Sequence, residues 1–233
     1  MVNSRCDNHL SQRAHHWRTS PAHALVAAVI CWSGFAGVAV AVATGQSESL
    51  DRDGLLLWRD SAKLAPQGLV EGMHDLTALG GVWVRILVGL GAITALLFQR
   101  MRQEAVLLAG TIISGWLLNT ALKLAVSRPR PSIVPHLTQA SGHSFPSGHS
   151  FNSALVYIAI ALTFAAISQQ RRVRWTLIGS AIVLSWGIAF SRVWLGVHYP
   201  SDVLAGWLGG AGWAFMASAV LHKPALPRLT PGI

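Results

Sequence analysis

Residues 151–168 read FNSALVYIAIALTFAAIS, eighteen positions without an Asp, Glu, Lys or Arg, and the tetrapeptide PSGH stands just ahead of them at 146–149. A run of that length approaches the roughly 20 residues that a helix needs to cross ~30 Å of hydrocarbon. Working outward, comparable uncharged runs occupy 24–43, 79–98 (broken by Arg85), 105–122, 175–190 and 203–221. A single short run is also compatible with a core helix of a soluble all-α protein. Six at regular spacing, in a chain that is 52% hydrophobic and only 12% charged, exclude an ordinary soluble domain. The reading is all-α: an integral membrane bundle of six transmembrane helices forming one domain over 1–233.

The cations set the orientation. Arg5, Arg13 and Arg18 lie in the tail 1–22, Arg100 and Arg102 in the second connection, Arg171, Arg172 and Arg174 in the fourth, and Lys223 and Arg228 in the C-terminal tail. Six crossings place all of these on one side, which the positive-inside rule assigns to the cytoplasm, with both termini. The net charge of +9 is then an insertion signal, and a nucleic-acid partner loses its main support. Segment 44–78 holds six of the nine acidic residues and reads as an external loop, with a short amphipathic stretch around Leu55 to Trp58 at the interface. The first helix reads as an uncleaved anchor, because its apolar run is longer than a signal-peptide core. Cys6 falls in the cytoplasmic tail and Cys31 inside the first helix, so no external disulfide is available. Nothing in the sequence implies a second domain or an obligate protein partner.

The same topology brings three distant stretches, all within 123–202, to the external surface. They are KLAVSRPRP with Lys123 and Arg130, PSGH with Ser147 and His149, and SRVWLGVHYPSD with Arg192, His198 and Asp202. Cations kept on the side where cations are scarce point to a local anionic partner. The residue types suit phosphoryl transfer, which needs charge neutralised on the equatorial oxygens, a nucleophile in line and an acid for the departing oxygen. Lys123, at the end of the third helix, and the planar forks of Arg130 and Arg192 supply the clamp. Each cation alone would read as a snorkelling or headgroup contact. Ser147 and Gly148 open the fourth helix, with Ser144 as its cap, and offer a hydroxyl and backbone N–H groups to the anion. Asp202, in the first turn of the sixth helix, reaches back to His198 Nδ1 and leaves Nε2 as an attacking lone pair. His149 is left to protonate the leaving oxygen and then activate water. Ser147 as nucleophile with His149 as base is the weaker alternative, since residues two apart at a helix start do not face one another.

Arg128 reads as a bystander turned away from Arg130 by the RPRP alternation. His143 is near enough to help bind a substrate but reads as a loop histidine, and His136 and His74 have no evident partner. Arg85 is left between snorkelling to the surface and facing the site, and Asn119 between support of Lys123 and an interhelical contact. Trp17, Trp83, Trp175 and Trp194 fit an interfacial belt. Asp202 is the only carboxylate near the motifs, so the site reads as metal-independent and without a cofactor.

These motifs resemble the signature of the type 2 phosphatidic acid phosphatase superfamily, which also contains bacterial nonspecific acid phosphatases and vanadium haloperoxidases. That signature runs Lys, six residues, Arg-Pro; then Pro-Ser-Gly-His; then Ser-Arg, five residues, His, three residues, Asp. It is met at Lys123 with Arg130-Pro131, at 146–149, and at Ser191-Arg192 with His198 and Asp202. The six-run layout is similar to the membrane branch, including bacterial phosphatidylglycerophosphate and undecaprenyl-pyrophosphate phosphatases. The resemblance implies a phosphohistidine on His198, acid-base work by His149, and a phosphate held by Lys123, Arg130, Ser147, Gly148 and Arg192. It also implies a lipid phosphate or diphosphate substrate, taken from the surrounding membrane lipid at the outer face of a bacterial inner membrane. The rival reading is a noncatalytic anion or lipid transporter, although a transporter is expected to hold its charges near the bilayer midplane.

Overall fold

The computed structural model describes residues 21–221, so Cys6, Trp17 and the cations of both tails lie outside the described residues. Among the described residues the regular structure is all helix, with no strand, and 127–147 form a long loop. The order is α1 (Pro21–Ala43), α2 (Glu48–Lys63), α3 (Gln67–Leu79), α4 (Val82–Phe98), α5 (Arg102–Val126), α6 (Gly148–Ile167), α7 (Arg171–Trp194) and α8 (Pro200–Leu221). Of these, α1, α5, α6, α7 and α8 are each long and apolar enough to cross a membrane. Where the sixth span is expected, at 79–98, α4 has 17 residues and reaches spanning length only together with α3, which it meets at a bend of 52°. At that break the Leu79 carbonyl is satisfied by the Tyr157 hydroxyl, which donates to it at 2.7 Å.

α6 is the central helix, with α7 and α8 packed along it and α1 on α8. Two-thirds of its apolar window (67%) is buried, against 17% for α1 and 28% for α5, which turn most of their surface outward. Lipid gives no hydrophobic drive for helices to associate, so close backbone contact and side-chain hydrogen bonds must hold the bundle. Gly210 of α8 provides such a contact: a Cβ there would overlap the Phe151 carbonyl of α6. Across the α7–α8 seam the Trp207 indole donates to Ser185 Oγ at 3.0 Å and stacks on Trp186 with centroids 4.7 Å apart. The outer faces carry Ile30, Leu87, Val106 and Val183, all exposed, as a lipid-facing surface requires.

Segment 44–78 is not the expected loop; it folds into α2 and α3. The inward stripe of α2 is Asp51, Leu55, Arg59 and Ala62, at helical spacing, while Leu50 and Leu57 face outward. Two charged residues on the buried face mask the amphipathic period from a hydropathy reading. Leu55 is fully buried, and Trp58 packs edge-on against Phe190 of α7. The tryptophan belt is corrected in one place. Trp83 and Trp175 are exposed near helix starts, whereas Trp194 is only 3% exposed and packs with Leu195 and Val197.

Candidate active site

Four local devices deliver the motif residues to one end of the bundle. α5 stops where Ser127 turns left-handed (φ 49°) and returns its N–H to the Lys123 carbonyl at 3.1 Å. Pro129 and Pro131 then prevent any continuation, which leaves Lys123 in the last turn. α6 begins at Gly148 with Ser147 as its cap, the Ser147 Oγ accepting from the Ser150 hydroxyl at 3.0 Å and from its N–H at 3.5 Å. The expected cap, Ser144, has a different task. α7 ends in a Schellman motif: Val197 N–H donates to the Arg192 carbonyl at 3.1 Å and Gly196 N–H to Val193 at 2.9 Å. Gly196, at φ 78°, takes the left-handed position that glycine adopts without strain, and the turn hands the chain to His198. Pro200 then opens α8, placing Asp202 in its first turn as expected.

His198 is 1% exposed, and each ring nitrogen has a defined neighbour. Arg130 Nη1 lies 3.0 Å from Nε2. A guanidinium can only donate, so Nε2 is the lone-pair nitrogen and Nδ1 carries the hydrogen. Nδ1 donates to Ser144 Oγ at 3.2 Å, and the Ser144 hydroxyl in turn donates to Asp202 Oδ2 through a short contact. Asp202 Oδ2 approaches Nδ1 directly only to 3.5 Å, so the expected His-Asp pair operates mainly through Ser144. The same oxygen accepts the Tyr199 N–H at 3.0 Å. Burial pushes the His198 imidazole down to about 4, with Asp202 pulling the other way and Arg130 and Arg192 adding to the push. The ring is therefore neutral across the physiological range.

Around it stand the expected cations. Arg130 donates through Nε to the Gly142 carbonyl at 3.1 Å, through Nη2 to Ser141 at 2.8 Å and through Nη1 to Val197 at 2.9 Å. Burial lowers its pKa, opposed by Asp202. Lys123 Nζ donates to the His143 carbonyl at 2.8 Å, and its Cε would lie 3.3 Å from a Cβ at Gly148. Asn119 is buried beside the same glycine with its Oδ1 unpartnered. Arg192 is 3% exposed; its Nη1 donates to Thr77 Oγ1 of α3 at 2.8 Å, while its Nε has no partner. His149 is within electrostatic reach of Arg192, Arg85, His198 and Arg130. Arg85, undecided from sequence, faces this cluster, its Nη1 3.4 Å from the Gly148 carbonyl. His143 contributes its backbone, and His136 Nε2 pairs with the Pro131 carbonyl at 2.8 Å.

Arg128 is the chief correction. It is no bystander: Nη1 pairs with Asp202 Oδ1 at 2.7 Å and Nη2 with Asp51 Oδ2 at 2.7 Å. Burial works against its charge, but Asp202 and Asp51 hold the guanidinium above its ordinary value. Proline alternation turns it away from Arg130 as expected, and the face it turns to carries two carboxylates. Asp51 was missed because it lies 77 residues away in a segment read as a loop. The available signal was its place one turn before Leu55 on one helical face.

The profile of the PAP2 superfamily matches residues 104–225, which takes in all three motifs. The chain belongs to that superfamily. It is 34% identical over 161 residues to phosphatidylglycerophosphatase B of Bacillus subtilis, covering 66% of this chain and 76% of the relative. It is also 35% identical over 110 residues to undecaprenyl-diphosphatase BcrC of the same organism, covering 44% and 50%. The fold superposes on the crystal structure of a transmembrane PAP2-type phosphatidylglycerolphosphate phosphatase from Bacillus subtilis with a TM-score of 0.71 at 28% identity, covering 82% of this chain and 93% of that one. The protein is thus an integral membrane enzyme of a lipid phosphatase family, as the motif resemblance implied. A noncatalytic transporter does not fit that membership.

Proposed function

We propose that this PAP2 protein removes a phosphoryl group from a lipid monophosphate or a polyprenyl diphosphate through a phosphohistidine on His198. The observation that carries the reading is the tautomer: Arg130 beside Nε2 and Ser144 beside Nδ1 leave a neutral imidazole whose lone pair faces the cations. Nε2 attacks phosphorus, an N–P bond forms, and the P–O bond to the lipid breaks. His149 gives its proton to the departing oxygen. It then takes a proton from water, whose oxygen attacks the same phosphorus, breaks the N–P bond and releases inorganic phosphate.

Lys123, Arg130 and Arg192 neutralise the equatorial oxygens, so cations do the work that divalent metal does in two-metal phosphatases. The Gly148 N–H at the start of α6 and the Ser147 hydroxyl hydrogen complete the cradle. Substrate tails stay in lipid while the phosphate enters at the helix ends. Arg100 and Arg102 lie at the α4–α5 junction and Arg171, Arg172 and Arg174 in the first turn of α7, at the helix ends away from the motif residues. The positive-inside rule therefore supports an external site and cytoplasmic termini, and the resemblance to bacterial members of the family supports an inner membrane.

The test is phosphate release by purified protein with chelator present, against phosphatidate, phosphatidylglycerophosphate and undecaprenyl diphosphate in one lipid mixture. His198→Ala is expected to abolish turnover, and wild-type enzyme quenched in mid-reaction to carry acid-labile label on His198. Wild-type rates in His198→Ala would refute the nucleophile.

A further inference from the structure

We propose that Asp51, on α2 and outside the matched family segment, is a positioning residue for the reaction, acting through Arg128 to keep the Asp202 charge available to His198. This rests on the phosphohistidine reading above. The connection is continuous: Asp202 Oδ1 to Arg128 Nη1 at 2.7 Å, then Arg128 Nη2 to Asp51 Oδ2 at 2.7 Å. Ser201 ties the two ends together. Its N–H donates to Asp51 Oδ1 at 2.9 Å and its hydroxyl to Asp51 Oδ2 at 2.6 Å, while Arg128 Nη1 also reaches that hydroxyl at 2.8 Å. The guanidinium is fixed further by lying 4.4 Å over the Tyr199 ring. Asp51 is 2% exposed and Asp202 0%, so water screens little of this.

Charge counting gives the cluster its role. Attack through Nε2 places positive charge on the imidazole, and Asp202 is the carboxylate positioned to stabilise it. Arg128 alone would form a neutral pair with Asp202 and leave around His198 only cations and one further imidazole: Lys123 from α5, Arg130 from the loop after it, Arg192 from α7, Arg85 from α4, Arg59 of α2 against Gly196, and the His149 ring from α6. Asp51 takes half of the Arg128 fork. Two carboxylates share one guanidinium, and the cluster presents a net negative charge beside Nδ1. A buried acid with no part in the reaction would need only a neutral pair.

The experiment uses the full chain in lipid nanodiscs with phosphatidylglycerophosphate, and follows kcat, KM and the His198 imidazole titration by 15N NMR. Asp51→Asn should lower kcat about tenfold while KM stays within about twofold, and shift the His198 midpoint downward. Arg128→Gln should shift that midpoint upward, and the double variant should bring it back toward wild type. Asp51→Glu should restore most of kcat. Opposite signs from the two single variants cannot come from loosened packing. If Arg128→Gln fails to fold, the Asn and Glu variants at 51 still decide. An unmoved titration in Asp51→Asn, or shifts of the same sign in both single variants, overturns the proposal. His198→Ala with full activity would instead remove the reading beneath it.

Discussion

The loop leaving α5 has two sides with opposite electrostatics. On the side facing His198, Arg130 is held by three backbone carbonyls, and among the described residues no carboxylate forms an ion pair with it. On the side facing α2, Arg128 is clasped by Asp51 and Asp202. The two arginines are two residues apart, yet one keeps an uncompensated charge and the other is outweighed by two carboxylates. A cation meant for an incoming anion is oriented by dipoles, because a fixed carboxylate would compete with the ligand. A cation meant for the scaffold is neutralised, because a buried unpaired charge is costly.

The largest loss of activity should therefore fall on the first side and the largest loss of stability on the second. Arg130→Ala is expected to cut kcat/KM by about 10³, or ~4 kcal/mol, with the unfolding midpoint in detergent unchanged. Arg128→Met strands Asp51 and Asp202 as buried charges and should cost about 3 kcal/mol of stability, seen as a lowered midpoint. A comparable midpoint loss in Arg130→Ala would erase the distinction. Ser144→Ala removes the bridge between Nδ1 and Asp202, and kcat should fall about tenfold while KM holds. Far from either side, Trp207→Phe loses the bond to Ser185 and part of the stacking on Trp186, so about 2 kcal/mol of stability and no activity should go with it.

Titration gives a finer check. The folded His198 value is depressed, to about 4, so the ring accepts a proton only as pH falls through that value. Its 15N shifts should report the neutral Nδ1–H tautomer from pH 8 down to about pH 5. An Nε2–H tautomer, or a midpoint near the ordinary histidine value of about 6.5, would contradict the geometry around Arg130.

What sequence reveals here follows the same division. Spans of uncharged residues are local signals, and the motif positions are fixed by spacing to helix ends, so five spans, the α8 start and the cluster of His198, His149, Arg130 and Arg192 were legible. Partners brought in by tertiary packing were not. Asp51 and Arg128 meet only because α2 packs at the α7–α8 junction, and α2 itself was hidden by the charges on its inner stripe. Ser144 reads as a capping serine by type and position, and only the fold of the 127–147 loop aims it at Nδ1. The bend between α3 and α4 escaped notice because apolar residues continue across it, and hydropathy carries no angle.

On the proposed reading, the Arg130 guanidinium, oriented without a counter-carboxylate, attracts any phosphate, including the one just released. The tail-bearing product can diffuse away through lipid, whereas the small anion is retained by charge alone. Inorganic phosphate should thus compete with substrate for the resting enzyme, and turnover should slow as it accumulates on the side of the membrane where the site opens.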